Sequence, residues 1–157
     1  MSETVAETVD VVAKAKELLS GVLEHMGIEA EVSASESEER IVLEIDTEHT
    51  DRIIGRRGQT IDALQHIVGK MLSRYREERG KPVQVDADGY RGRHVEKLES
   101  LAARMGEKAI ESGEAVDLNP MNAYDRRIIH MALKEVEGVR TESEGEGDDR
   151  HVVVIPD

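Results

Sequence analysis

The sequence predicts an α+β protein made of two compact units, and three observations support this prediction. Apolar residues recur at helical spacing in several long segments, whereas other segments alternate between apolar and polar residues with the period of a β-strand. The 157 residues suffice for one ordinary domain or two small ones. Turn-forming residues at 86–89 divide the chain. We therefore expect one unit at residues 1–87 and a second at residues 88–157.

The first unit is predicted to follow the order helix, strand, strand, short helix, long helix, strand. Gly27 ends the first helix, and Gly80 with Pro82 ends the long one. Between the first two strands lies a polar turn at residues 35–40, typical of a hairpin. The predicted elements are a helix at 5–26, strands at 28–34 and 41–45, a short helix at 50–54, a long helix at 59–78 and a strand at 83–85. The apolar face of the long helix is predicted to be formed by Ile61, Leu64, Val68, Met71, Leu72 and Tyr75.

The second unit is predicted to follow the order helix, strand, helix, strand, strand. Its first helix has apolar residues at helical spacing from Val95 to Ala109 and ends at Gly113. Asn122, with Asp125 three residues later, resembles a capping box and predicts the start of the second helix. The remaining predictions are a short strand at 116–118, an apolar helix face that includes Val136, and two strands at 139–142 and 151–155 joined by an acidic turn.

The charge of the chain is unevenly distributed. The net charge is −13, which by itself argues against a polyanionic ligand. Residues 49–81, however, carry 8 Lys and Arg against 4 Asp and Glu, whereas the segments on either side are acidic. Because salt screens repulsion over about 10 Å, a local basic patch on an acidic body can still bind a polyanion.

A Gly-Arg-Arg-Gly sequence occupies residues 55–58 within this basic segment, between the short and the long helix. Glycines at both ends allow a sharp reversal and a close approach of a phosphodiester backbone. The long helix begins near Gln59, so its first N–H groups and positive dipole end point toward the loop. Arg56 and Arg57 supply charge and forked donors for phosphate oxygens. By itself, the four-residue pattern also fits a tight connection with solvated arginines.

Three isoleucines flank this loop in the sequence. Ile53, Ile54 and Ile61 are expected to line an apolar groove in which unstacked bases lie. In the second unit, Arg126 and His130 stand four residues apart on one helix face, with Arg127 beside them. They are candidates for a phosphate contact, and an exposed arginine beside a half-buried core histidine is the other interpretation.

These residues carry a resemblance to a known family. A Gly-x-x-Gly loop between two helices, in the element order of the first unit, resembles a type II KH domain, whose loop clamps nucleic-acid backbone. The run Asn-Pro-Met-Asn-Ala-Tyr-Asp-Arg-Arg-Ile-Ile-His at residues 119–130 is similar to the small domain named for its Arg-x-x-x-His motif. The two domains in this order resemble the bacterial Jag family. The resemblance implies that RNA is bound by Ile53, Ile54, Gly55, Arg56, Arg57, Gly58 and Gln59, and secondarily by Arg126, Arg127 and His130.

The resemblance also implies a biological role. It indicates a cytoplasmic single-stranded RNA-binding regulator or RNA chaperone linked to cell envelope growth and division, often acting with a small stand-alone KH protein. Many family members carry a further N-terminal domain, which we expect this chain to lack because it starts almost at the first helix. Single-stranded DNA is an alternative ligand, and a protein–protein adaptor that uses the acidic faces is an alternative function.

Several other classes of protein are not expected. The chain has no Cys, and its six His lack the spacing of zinc ligands. Its acidic runs do not match the ligand order of an EF-hand. It also has neither a phosphate-binding loop nor a credible nucleophile and base. We expect no metal, no cofactor and no enzymatic activity. Nor is a signal peptide or an apolar run of about 20 residues present.

Overall fold

The computed structural model describes residues 9–76 and 78–157. The chain divides into two compact units, and the division falls between Tyr90 and Arg91, close to the boundary expected after residue 87. In both units the order of helices and strands matches the sequence prediction.

In its described residues, 9–76 and 78–90, the first unit contains a three-stranded sheet and three α-helices. The elements of the first unit are α1 (Val11–His25), β1 (Glu31–Glu36), β2 (Ile41–Asp46), α2 (Thr50–Ile54), α3 (Gln59–Leu72) and β3 (Val83–Ala87). The central strand β2 pairs antiparallel with β1 and parallel with β3. Short 3₁₀ turns precede and follow α3, at Arg56–Gly58 and Ser73–Tyr75.

The core of the first unit lies between the sheet and helices α1 and α3. Leu43 on β2 pairs with Val85 on β3, and both side chains are fully buried. α1 contributes Leu19 and α3 contributes Val68 to the same cluster. Burial of these apolar side chains, about 1.5–3 kcal/mol each, fixes α3 on the sheet and thereby fixes the loop at its N-terminal end.

The start of the first helix differs from the prediction. Asp10 is the N-cap of α1, since its Oδ1 accepts a hydrogen bond from the Ala13 amide at 3.1 Å. The predicted start at residue 5 lies outside the described residues, and Val9 precedes the cap. β1 also begins later than predicted, at Glu31 instead of residue 28, although Ile28 is buried in the core.

The long helix was predicted too long. α3 ends at Leu72 instead of residue 78, and the next residues form a 3₁₀ turn. The Ser73 hydroxyl donates to the Lys70 carbonyl at 2.6 Å there. The prediction that Tyr75 belongs to the apolar face of this helix was wrong, because Tyr75 lies beyond α3 and is exposed, whereas Met71 lies within α3 and is half-buried. After Leu72 the sequence is mostly charged, and so it supplies no apolar side chains to hold a further helical turn on the sheet.

The second unit contains two α-helices and an antiparallel sheet. The elements are α4 (Tyr90–Ser112), β4 (Val116–Asp117), α5 (Ala123–Leu133), β5 (Val139–Glu144) and β6 (His151–Pro156), and the strand order is β4-β6-β5. The buried cluster joins Leu98 and Ala102 from α4 to Ile129 from α5 and Val152 from β6. The helices approach closely at Gly106, where a Cβ would lie 3.0 Å from Leu133 Cδ2.

The N-cap of α5 is the residue predicted, but the helix is shorter than predicted. Asn122 Oδ1 accepts a hydrogen bond from the Asp125 amide at 2.8 Å. The prediction that Val136 belongs to the apolar face of this helix was wrong, since α5 ends at Leu133 and Val136 is exposed. The chain turns after Leu133 and passes through Gly138, with φ 92°, to enter β5.

Candidate nucleic-acid interface

The loop at residues 55–58 reverses the chain through three left-handed backbone conformations. Gly55 has φ 69° and Gly58 has φ 75°, and Arg57 between them has φ 56°. Left-handed backbone is unstrained for glycine and costs other residues about 1–2 kcal/mol. The backbone is therefore strained at Arg57, and the side chain of this arginine is exposed in the turn.

Both glycines are also required by space. A Cβ on Gly55 would lie 2.7 Å from Thr60 Cβ, and a Cβ on Gly58 would lie 3.0 Å from two ring carbons of Tyr90. Thr60 belongs to the first turn of α3, and Tyr90 begins α4. The two side chains thus fill the volume that glycine leaves empty and hold the loop from both sides.

The side chains of both loop arginines are exposed. Within the described part of the chain, neither Arg56 nor Arg57 makes a side-chain hydrogen bond or an ion pair. Gly58 is the N-cap residue of α3 and offers no side chain to the first turn of the helix. The Gln59 amide donates to the Arg56 carbonyl, so the N–H groups that remain for a ligand come later in that turn. The arrangement offers two guanidinium groups beside the positive end of a 14-residue helix.

The apolar groove predicted beside the loop is not formed by the residues expected. Ile53 and Ile61 are both fully buried in the core of the first unit, so the prediction that their side chains face bases was wrong. Their helical periodicity places them on the inner face, where they anchor α2 and α3 beneath the loop. Ile54 is half-buried, and of the three isoleucines only this one offers surface to a ligand.

In the second unit, Arg126 and His130 hold the structure around them. Arg126 Nη1 donates to the Met121 carbonyl and so fastens the turn that leads into α5. His130 lies between two hydroxyls of β5, with Nδ1 2.7 Å from Thr141 Oγ1 and Nε2 2.8 Å from Ser143 Oγ. Burial, and secondarily the charge of Arg126, lower the pKa of His130 below its ordinary value.

This geometry corrects the prediction for His130. We expected its ring to donate to a phosphate, but both ring nitrogens are engaged with β5. A ring with a lowered pKa also favours its uncharged form, which suits a phosphate poorly. Arg127 is exposed, and Arg126 is half-buried with further guanidinium N–H groups beyond the one bonded to Met121.

Sequence reasoning missed three pairings because they join residues far apart in the chain. His94 Nε2 lies 3.0 Å from Asp125 Oδ2, and the Asp125 carboxylate is buried against α4. His151 Nε2 lies 3.3 Å from Asp117 Oδ1, and its Nδ1 donates to the Asp149 carbonyl. Glu144 lies close to the second pair, and of the described residues only this trio brings potential ligand atoms together. The third missed pairing is that of Tyr90 with Gly58. None of the three pairings is predicted by a local sequence pattern.

None of the helices described is both long and apolar enough to cross a membrane.

Comparison with known proteins matches each unit separately. Residues 13–86 match the family model described as KhpA/KhpB, KH domain, and residues 96–156 match that of the Arg-x-x-x-His (R-three-H) domain. These matches confirm the α+β fold class, with the KH domain first and the Arg-x-x-x-His domain second.

Three relatives that match most of the chain have the same name. The chain is 36% identical over 143 residues to RNA-binding protein KhpB of Clostridium symbiosum, covering 90% of this chain and 64% of the relative. It is 33% identical to the Bacillus subtilis protein of the same name, covering 94% of this chain and 72% of the relative. The protein of that name from Streptococcus pneumoniae serotype 2 is 32% identical, with 85% and 40% covered. The chain thus spans less than two thirds of the length of the first and third of these relatives.

Proposed function

The chain belongs to the KhpB family of bacterial proteins, also known as the Jag family, and from this premise we propose that it binds single-stranded RNA through the Gly55–Gly58 loop without catalysing a reaction. The observation that carries the proposal is the loop itself. It combines left-handed backbone, glycines enclosed by Thr60 and Tyr90, and two exposed arginines whose side chains bond to none of the described residues.

The loop geometry supports a clamp on the nucleic-acid backbone. Because neither glycine has a Cβ, a phosphodiester can approach the main chain closely. Arg56 and Arg57 extend from the same short turn and can each present a forked pair of donors to phosphate oxygens. Together with the dipole of α3, they neutralise phosphate charge locally, although the chain as a whole carries a net charge of −13. Binding of this kind weakens steeply as the salt concentration rises.

Beside the clamp, exposed surface for bases is limited. Ile54 and Gln59 flank the two ends of the loop and are the side chains proposed to touch the first bases. The chain has no Phe or Trp, which fits recognition through a groove better than an aromatic stacking platform in this unit. Exposed Arg127 and half-buried Arg126 of the second unit are proposed as a secondary phosphate contact, with His130 holding α5 in position for them.

The family relationship supports three finer proposals. The protein is proposed to act in the cytoplasm as a post-transcriptional regulator or RNA chaperone linked to cell envelope growth and division. A small stand-alone KH protein is proposed as its partner.

The experiment that tests the clamp measures fluorescence anisotropy of labelled single-stranded RNA, matched single-stranded DNA and duplex RNA at several salt concentrations. We expect wild type to bind the single strands, with log K falling against log salt by about 0.7 per phosphate contact. Arg56→Asp/Arg57→Asp is expected to lose this binding. The DNA arm decides whether the 2′-hydroxyl contributes.

A matched variant controls for net charge. Arg104→Glu/Lys108→Glu changes the net charge by the same amount at two exposed positions of α4. It is expected to bind RNA nearly as wild type does, and circular dichroism verifies that both variants are folded. The clamp is refuted by a folded loop variant that binds as tightly as the control variant. Wild type that binds no single strand at low salt refutes the RNA-binding function as a whole.

A further inference from the structure

The outward face of α5 carries two large apolar side chains that are exposed, and a third that is partly buried against the core. Tyr124 and Met131 are 64% and 59% exposed, and half-buried Ile128 lies between them in sequence. Residues seven apart stand two turns apart on the same side of a helix, about 10 Å along its axis. Tyr124 and Met131 therefore form one ridge, with Ile128 at its inner edge. Tyr124 is also the most exposed large apolar side chain in the described part of the chain.

A basic row runs beside this ridge. Arg127 and Lys134 are exposed and also stand seven residues apart, the second at the C-cap of the helix. At about 100° per residue they lie about 60° around the helix from Tyr124 and Met131. Within the described residues, neither cation is engaged in an ion pair or a side-chain hydrogen bond. The aromatic ridge and the two cations thus form one continuous strip.

The carboxylates of this region are directed elsewhere or lie beyond the helix. Asp125 is the only acidic residue within α5, and its carboxylate is buried 3.0 Å from His94 Nε2. Glu135 and Glu137 follow after the helix has ended. The helix itself therefore contributes no carboxylate to its outward face, although the second half of the chain is acidic overall.

We propose that this strip, Tyr124, Arg127, Met131 and Lys134, is a base-stacking surface for single-stranded RNA. Nucleobases stack on the Tyr124 ring and against the Met131 thioether, and phosphates lie along Arg127 and Lys134. Single-strand binding surfaces combine these two features, aromatic side chains for bases and cations that follow the backbone. The strip shares Arg127 with the secondary phosphate contact proposed above and extends it along α5, away from His130, which is bonded to β5. The inference rests on the proposed RNA-binding function and adds to it a surface for bases in the second unit.

The charge of the strip selects RNA over the alternative of a protein occupant. A basic protein partner is disfavoured by the two cations, neither of which forms an ion pair with a described residue, and an acidic protein partner offers no row of planar bases for the exposed Tyr124 ring. RNA is already drawn toward the chain by the clamp loop, so it meets the strip at a raised effective concentration. The two cations then contact the phosphates of the strand, and the exposed aromatic ring beside them contacts its bases.

The test compares Tyr124→Ala with Tyr124→Phe in the full chain by anisotropy, using a short single-stranded RNA and an abasic phosphodiester strand of the same length. Tyr124→Ala is expected to weaken RNA binding roughly 5-fold or more and to leave the abasic strand unchanged. Tyr124→Phe keeps the ring and is expected to retain most of the affinity. Arg127→Gln is expected to lower the salt slope by about 0.7 for both strands.

Tyr75→Ala is the matched control, since Tyr75 is also an exposed tyrosine but lies in the 3₁₀ turn that follows α3, whereas the loop precedes α3. It is expected to bind RNA as wild type does. The stacking surface is refuted if Tyr124→Ala binds RNA as tightly as Tyr75→Ala, or if it loses equal affinity for the abasic strand. Arg56→Asp/Arg57→Asp, measured alongside, separates the two proposals: loss in that variant with none in Tyr124→Ala retains the clamp and removes the strip.

Discussion

The ring of Tyr90 fills the space in which Gly58 would carry a side chain, with ring atoms Cε1 and Cζ each 3.0 Å from the position of a Cβ. Gly58 also has φ 75°, a conformation that costs a non-glycine residue about 1–2 kcal/mol. We therefore predict that Gly58→Ala lowers the free energy of unfolding by at least this amount. The measurement is urea unfolding followed by circular dichroism.

Gly69→Ala provides the control for this prediction. Gly69 lies within α3, and a Cβ there would have no neighbour within 4 Å. The same change is expected to raise the free energy of unfolding by roughly 0.5–1 kcal/mol, because alanine is the better helix former. Equal stability of the two variants would contradict the role assigned to Tyr90 and the left-handed backbone.

The N-cap of α5 provides a second prediction. Asn122→Ala removes the acceptor of the Asp125 amide and is expected to destabilise the second unit by about 1 kcal/mol. Asn122→Ser keeps a capping oxygen and is expected to cost much less. Thermal unfolding of both variants measures the difference, and an Ala variant as stable as the Ser variant would show that the cap contributes nothing.

The pKa of His130 is predicted to depend on the charge of Arg126 and not on that of Arg127. Burial lowers this pKa below its ordinary 6.5, and the charge of Arg126 lowers it further. Arg126→Gln is expected to raise the pKa only part of the way back, since burial remains, whereas Arg127→Gln is expected to leave it nearly unchanged. NMR titration of the ring protons measures all three proteins. A larger shift in the Arg127 variant than in the Arg126 variant would overturn the assignment.

The sign of the stability effect follows from the lowered pKa of His130. Protons bind more readily to this ring in the unfolded chain than in the folded one. Its contribution to stability is therefore complete above pH 6.5 and is lost as the pH falls from there through the lowered pKa. Replacement of His130 by Gln is expected to flatten this part of the pH profile of unfolding.

His151 is predicted to behave in the opposite way. The Asp149 carbonyl, which accepts from Nδ1, raises the pKa of His151, and Asp117 and Glu144 raise it further. Its contribution to stability is present below pH 6.5 and is lost as the pH rises through the raised pKa. Asp117→Asn is expected to lower this pKa in the same NMR titration while leaving that of His130 in place. An unchanged His151 pKa in the variant would show that Asp117 plays no part.

Much of the architecture follows from local pattern. The short helix at Thr50–Ile54 and the cap at Asn122 agree with the sequence prediction because each depends on residues within a few positions of one another. The predicted helix ends were wrong where a helix stops because the following residues make no contact with the core. Tyr75 and Val136 continue the apolar periodicity of their helices, but the chain leaves the core before it reaches them.

The candidate site likewise has some features that the sequence predicts and others that are seen only in the structure. From the sequence by itself came the Gly-Arg-Arg-Gly loop, its position before a helix and the family, since these depend on residue type and order. Only the tertiary structure decided that Ile53 and Ile61 are buried, that both ring nitrogens of His130 are bonded to β5, and that Tyr90 encloses Gly58. The physical reason is that burial and hydrogen-bond partners are set by contacts between segments distant in the chain, which a local pattern of residues does not encode.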